Sequence, residues 1–185
     1  MLIYVPDRLV SGDVDRFELV NFVVKFADRM LVEGACPPSD MPRNLMQLYH
    51  LDYYVAQVMN GGHYQFIDNC FDDFLNNLQF AIDGLMAIGA YAHLDIIRDF
   101  EVWVIKNRIR RVADVDEVDD VEFESLEALD ERFGELDHYD ALDDLVVRWL
   151  LGWENLRVVE DDRVQALIDT QSREFSVKSR SSSLH

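Results

Sequence analysis

What most constrains this chain is the spacing of its apolar residues, which return every three or four positions in one segment after another. Val20, Val23, Val24, Ala27, Met30 and Leu31 predict a first helix over 13–33, ended by Gly34 and broken behind by Pro37-Pro38. Leu45, Leu48, Leu51, Val55 and Val58 predict a second over 42–59. Asn60-Gly61-Gly62 should stop it, with Asn60 left-handed at the helix end, before a short turn over 63–69. Phe74, Leu78, Ala81, Leu85 and Ile88 share a face over 73–88, and Gly89 separates them from a helix over 91–108 carrying Leu94, Ile97, Phe100 and Val104. An acidic connection over 112–122 precedes helices over 124–136 and 139–152, the latter with Leu142, Leu145, Val146, Trp149 and Trp153 inward. The last helix is expected over 161–170. The strand-like residues Leu2 to Val5 are matched with 156–159 as a candidate pairing. The pattern reads as an all-α fold with one short two-stranded pairing at most. It forms a single helical domain over 1–171 and a flexible Ser/Arg tail over 172–185 that has almost nothing to bury.

Charge limits the partners such a fold can take. Hydrophobic residues make up 49% of the 185, enough for a core, and 36 acidic residues against 17 basic ones leave a net charge of −19. A field of that sign repels nucleic acid and anionic membranes and attracts cationic surfaces. The competing reading is that the acid only keeps the protein soluble. Cys36 and Cys70 make no disulfide framework. The start, Met1-Leu2-Ile3-Tyr4-Val5-Pro6-Asp7, lacks the basic residue and apolar run of a signal peptide. No uncharged run reaches the ~18 residues of a membrane helix. The cytoplasm is the expected location.

The acid is concentrated. Residues 113–162 hold 19 acidic and three basic residues, a net of −16, while the other 135 carry only −3. At about 100° per residue, Glu124, Glu127, Glu131 and Glu135 form one narrow helical stripe, with Leu126, Leu129, Phe133 and Leu136 nearly opposite. Carboxylates three or four positions apart lie about 5–6 Å from each other, a density of the same order as the phosphates of one DNA strand, about 3.4 Å apart. Asp114, Asp116, Glu117, Asp119, Asp120 and Glu122 on one side, and Asp140, Asp143 and Asp144 on the other, extend this candidate partner-binding surface. Any amphipathic surface helix also has a solvated polar face, and that reading stands beside the functional one.

The stretch Asp52-Tyr53-Tyr54-Val55-Ala56-Gln57-Val58-Met59-Asn60-Gly61-Gly62-His63-Tyr64-Gln65-Phe66-Ile67-Asp68-Asn69 carries a second kind of signal, continued by Ala81, Gly84-Leu85 and Ile88-Gly89-Ala90. Over about 52–90 it resembles the bacterial DNA-mimic protein family, the family of an acidic neisserial dimer that occupies a transcription regulator in place of its operator. The resemblance implies binding to a basic DNA-binding protein, and a homodimer whose interface avoids 113–144, where two copies repel. It assigns no individual carboxylate a role. Read physically, Asn60, Gly61, Gly62, Gln65, Phe66 and Asn69 look structural. The glycines permit a sharp turn, Gln65 and Asn69 satisfy exposed backbone groups, and Phe66 packs inward. The functional reading of the same residues is a polar pocket at a helix N-terminus that holds an anion.

Catalytic and metal signals are thin. Glu135-Leu136-Asp137-His138 has the spacing of one half of a di-iron site, without the second copy. Counted from Asp114, the run to Ser125 has Asp119 where a calcium loop needs Gly and Ser125 where it needs Glu. Cys70 near His63 reads as a small buried thiol rather than a nucleophile pair, and His50 and His93 as core histidines. No catalytic residue, metal or cofactor is expected. The leading reading is an acidic protein that binds a basic partner and acts as a DNA mimic. An immunity- or antitoxin-like protein neutralising a basic toxin, and an enzyme with a pocket at the Asn-Gly-Gly turn, are the alternatives.

Overall fold

The computed structural model describes residues 1–11, 16–70, 73–137 and 141–182. Within them lie eight α-helices and two short strands. The chain divides into two units, one of residues 1–49 with 146–185 and one of residues 50–145.

In the first unit, β1 (Ile3–Pro6) pairs in parallel with β2 (Leu156–Val159), Ile3 opposite Leu156 and Val5 opposite Val158. This is the pairing expected from the strand-like residues. Ile3 and Val5, two positions apart, point to the same side of the strand and are fully buried. Helices α1 (Arg16–Val32) and α8 (Asp161–Ser182) pack on β1 and on each other. Leu19, Val23, Phe26, Ala27 and Met30 form the buried face of α1 at the three-and-four spacing that predicted the helix. The Arg29 guanidinium ties α1 to α8 through Asp169, at 2.6 Å, and reaches Glu33 at 2.7 Å.

The end of α8 corrects the sequence reading. It continues to Ser182 instead of stopping near 170. Ser172 is buried, Gln171 Nε2 donates to the Leu2 carbonyl at 3.0 Å, and Ser176 Oγ donates to the Glu33 carbonyl at 3.0 Å. Ser176, within the stretch that reads as a tail, and Gln171 just before it find acceptors on the N-terminal part of the same unit.

The second unit is built from α2 beyond Tyr49 (the whole helix is Arg43–Asn69), α3 (Phe74–Ile88), α4 (Tyr91–Lys106), the single turn α5 (Val112–Val115), α6 (Asp120–Asp137) and the first part of α7 (Ala141–Leu151). Its core is aromatic. Tyr54, Phe66, Phe74, Phe100 and Phe133 are all under 2% exposed and meet edge to face, Tyr54 with Phe66 at 5.1 Å and with Phe133 at 5.7 Å between ring centres. Gly89, left-handed at φ 74°, ends α3 with its N–H on the Leu85 and Met86 carbonyls. Helix α4 packs on both α3 and α6.

Asn60-Gly61-Gly62 ends the first helical half of α2, as expected: Gly61 and Gly62 both leave the helical conformation. Helix α2 resumes beyond this kink, and the left-handed residue is Gly62, at φ 73°, not Asn60. The expected turn over 63–69 is the second, helical half of α2. Two adjacent glycines give the backbone the freedom to change direction and resume the helix at once.

Candidate partner-binding surface

Helix α6 begins at Asp120, four residues before its predicted start. Asp119 accounts for the difference: its Oδ1 accepts the backbone N–H of Glu122 at 2.9 Å, satisfying one of the amides that a helix start leaves unpaired. Leu126, Leu129 and Phe133 are buried, and Glu124, Glu127, Glu131 and Glu135 are exposed, as their phases require. None of these four carboxylates has an ion-pair or hydrogen-bond partner among the described residues.

The flanking acids are placed differently. Asp114 Oδ2 accepts the backbone N–H groups of Arg110, at 2.8 Å, and Arg111, at 3.2 Å, and its other oxygen meets the Arg111 guanidinium at 3.3 Å. The N–H of Arg110 above all, helped by Arg111, holds its carboxyl below the usual range. Glu122 turns toward α4, where it pairs with Lys106 and accepts from Asn107 Nδ2 at 3.0 Å. The Lys106 hydrogen bond, then that of Asn107, lowers its pKa. The carbonyl of Glu122 also accepts the indole N–H of Trp103 at 2.9 Å.

Asp116, Glu117 and Asp120 are exposed. Asp116 reaches the Tyr64 hydroxyl, whose pKa is raised by burial first and by Asp116 next. Asp143 and Asp144 lie in the first turn of α7, where the helix dipole favours them, and both have partners of their own. Asp140 and His138 lie outside the described residues. The single polar surface therefore resolves into a bare row on α6, the exposed Glu117 and Asp120 ahead of it, and a set of carboxylates tied into helix starts and turns.

Asp130 is the neighbour of the row that the sequence reading does not single out. It sits between Glu127 and Glu131 yet turns inward, and its Oδ1 accepts both the backbone N–H of His63, at 2.8 Å, and His63 Nδ1–H, at 2.5 Å. His63 is fully buried against Phe100, ring centres 4.3 Å apart, and its Nε2 lies 2.9 Å from the hydroxyl of the fully buried Tyr54. A carboxylate only accepts, so Nδ1 carries the ring proton and Tyr54 donates to Nε2. Burial, then the Asp130 charge, pushes the Tyr54 pKa well above its ordinary value, which keeps that donor protonated. The available signal was position: Asp130 lies four residues after Leu126 and three before Phe133, on the flank of the apolar face.

Gly62 makes room for this contact. A Cβ there would fall 2.2 Å from Asp130 Oδ2. The anion expected at a helix N-terminus is thus supplied by the protein itself: the second half of α2 begins at His63, and Asp130 caps it. Gln65 and Asn69, expected to satisfy backbone groups, bond side chain to side chain instead. Gln65 Oε1 accepts from Asn60 Nδ2 at 3.1 Å, while Gln65 Nε2 and Asn69 Nδ2 both donate to Gln57 Oε1, at 2.9 and 2.6 Å. Tyr53 donates to the Asn69 carbonyl at 2.9 Å. Phe66 packs inward, as expected.

Nothing in this turn offers a nucleophile. Burial raises the Cys70 thiol to about 11, and both ring nitrogens of His63 are taken. Among the described residues no three His, Cys, Asp or Glu side chains gather as metal ligands, and no helix is long and apolar enough to cross a membrane.

Comparison with known proteins agrees with the resemblance carried by 52–90 and extends it. No curated protein and no solved structure matches the chain. The family model described as DMP19-like protein matches residues 39–153, which span the kinked helix, the aromatic core, α6 and most of the acidic stretch. With more than half of its length matched, the chain belongs to the DMP19-like protein family.

Proposed function

We propose that this protein binds a basic partner by presenting α6 as a polyanion, and that the partner is a DNA-binding protein whose nucleic-acid site it occupies. The observation that carries this reading is the row of Glu124, Glu127, Glu131 and Glu135, exposed and unpaired along one helix face. Carboxylates left unpaired at this spacing repel one another and cost stability, so the row is best explained by a cation that it meets. Membership in a family of DNA-mimic proteins supports the same reading. Electrostatic steering would speed the encounter, and binding would weaken as salt is added. The family is not one of known enzymes, and the filled, hydrogen-bonded Asn-Gly-Gly turn speaks against a pocket there. As a homodimer the chain would keep 113–144 away from its own interface.

The test is affinity capture from the native host at low salt, with elution by a salt gradient and then by duplex DNA. Mimicry expects one basic DNA-binding protein, released by salt and displaced by DNA that carries its site. Recovery of a basic toxin that DNA does not displace would overturn mimicry in favour of an immunity-like role. Retention of no basic protein would overturn both.

A further inference from the structure

We propose that Asp130 is a positioning residue that fixes the roll of α6, and so decides which carboxylates of that helix face solvent. The claim rests on the reading of α6 as the partner-binding face. The apolar contacts of Leu126, Leu129 and Phe133 hold α6 down but are non-directional, so they leave its rotation about its own axis loosely set. A hydrogen bond is directional and weakens steeply when bent. Asp130 receives two such bonds on one oxygen from a single residue, His63, which is itself fixed on every side. Its backbone follows the Gly62 kink, its far nitrogen is held by Tyr54, and its ring lies between Phe100 and Phe133. At its first turn α6 is also tied to α4, through the Trp103 indole and Asn107 on Glu122; beyond that turn, among the described residues, its opposite flank carries the solvent-exposed Arg132–Asp99 pair, at 2.7 Å, a kind of contact that contributes little. The weight of orientation therefore falls on the buried side. This gives Gly62 and His63 a role in function without contact to any partner: they shape the socket that receives Asp130, and the socket sets the phase of the row Glu124, Glu127, Glu131 and Glu135.

Carboxyl footprinting of the full chain, with carbodiimide and glycine ethyl ester read by mass spectrometry, reports which carboxylates face solvent without any partner. The wild type should label the four glutamates strongly and Asp130, whose side chain is 30% exposed and whose Oδ1 is held by His63, only weakly. Asp130→Asn, which keeps the acceptor oxygen, should leave that pattern in place. Asp130→Ala should redistribute label among the four by at least twofold, with Glu122 gaining. Gly62→Ala keeps every charge and expels the carboxylate, so it should do the same and expose Asp130 further to label; it decides the matter if Asp130→Ala does not fold. An unchanged pattern of the four in Asp130→Ala, or in Gly62→Ala with Asp130 more strongly labelled, would overturn the proposal. Binding of a dodeca-arginine peptide as a function of salt supplies the second readout. The slope of log affinity against log salt should fall in Asp130→Ala and hold in Leu129→Ala, which is destabilised but keeps the clamp. Equal slope losses in the two would reduce Asp130 to a stability residue. If the wild type shows no salt-dependent binding at all, the partner-binding reading of α6 fails, and footprinting still judges the clamp.

Discussion

The acidic stretch contains two populations of carboxylates that look alike in composition and differ in what they are free to do. At the entrance to α6, Asp114, Asp119 and Glu122 are committed to backbone N–H groups, to Arg111, and to Lys106 and Asn107. Along the outer face of α6, Glu124, Glu127, Glu131 and Glu135 are committed to nothing among the described residues. The first population stabilises the turn and helix start that lead into the second. Net charge counts both equally, but only unpaired charge is available to a partner, because a paired carboxylate must first give up its own cation or hydrogen bonds.

The sharpest way to break this comparison is to reverse the bare row. Glu124→Lys, Glu127→Lys, Glu131→Lys and Glu135→Lys together should weaken capture of the cationic partner by at least about a hundredfold, roughly 3 kcal/mol. Circular dichroism and the thermal midpoint should stay close to the wild type, since none of the four carboxylates has an ion-pair or hydrogen-bond partner among the described residues. Unchanged capture would remove α6 from the interface.

An intermediate effect, opposite in kind, is expected at the entrance. Glu122→Gln should lower the thermal midpoint at neutral pH while leaving capture within about twofold of the wild type. The pH dependence sharpens it. The folded-state pKa of Glu122 lies below its ordinary value of 4.5, chiefly through Lys106. The folded state therefore binds that proton less readily than the unfolded chain. Its stabilisation is complete above the unfolded carboxyl range and is lost as pH falls through the folded value. The gap between wild type and Glu122→Gln should close as pH is lowered below about 4.5. A gap that persists in acid would mean that Glu122 acts through packing rather than charge.

The two populations also differ in how legible they were. The phase of the Glu124 row follows from helical periodicity alone, because four side chains facing solvent need no partner to place them. The helices themselves, and the pairing of β1 with β2, were readable for a related reason: their buried faces repeat at a fixed period. What periodicity cannot deliver is a contact made across sequence distance. Asp130 and His63 are 67 positions apart, and no local pattern brings a carboxylate to the start of a half-helix. Asn60-Gly61-Gly62 does stop the first half of α2; what no local pattern tells is that 63–69 is a helix and not a turn. Here the chain resumes the helix, since Asp130 caps the new start. The length of α8 is not legible because its last turns repeat no apolar face, and the acceptors of Gln171 and Ser176 lie far away in sequence.

The smallest effect concerns a carboxylate belonging to neither population. Asp52, half-buried on α2, has its pKa raised, first by loss of solvent and then by the charge of Asp143. Here the sign is the reverse of that at Glu122. The folded state holds the Asp52 proton more tightly than the unfolded chain does, so an ionised Asp52 costs stability above its folded pKa, and the cost disappears as pH falls below the unfolded value, about 3.8. Asp52→Asn should accordingly raise the thermal midpoint at neutral pH, by an increment that shrinks to nothing in acid, with capture unaltered. If Asp52→Asn instead weakens capture, then Asp52 belongs to the partner-binding surface, and that surface reaches beyond α6 to α2.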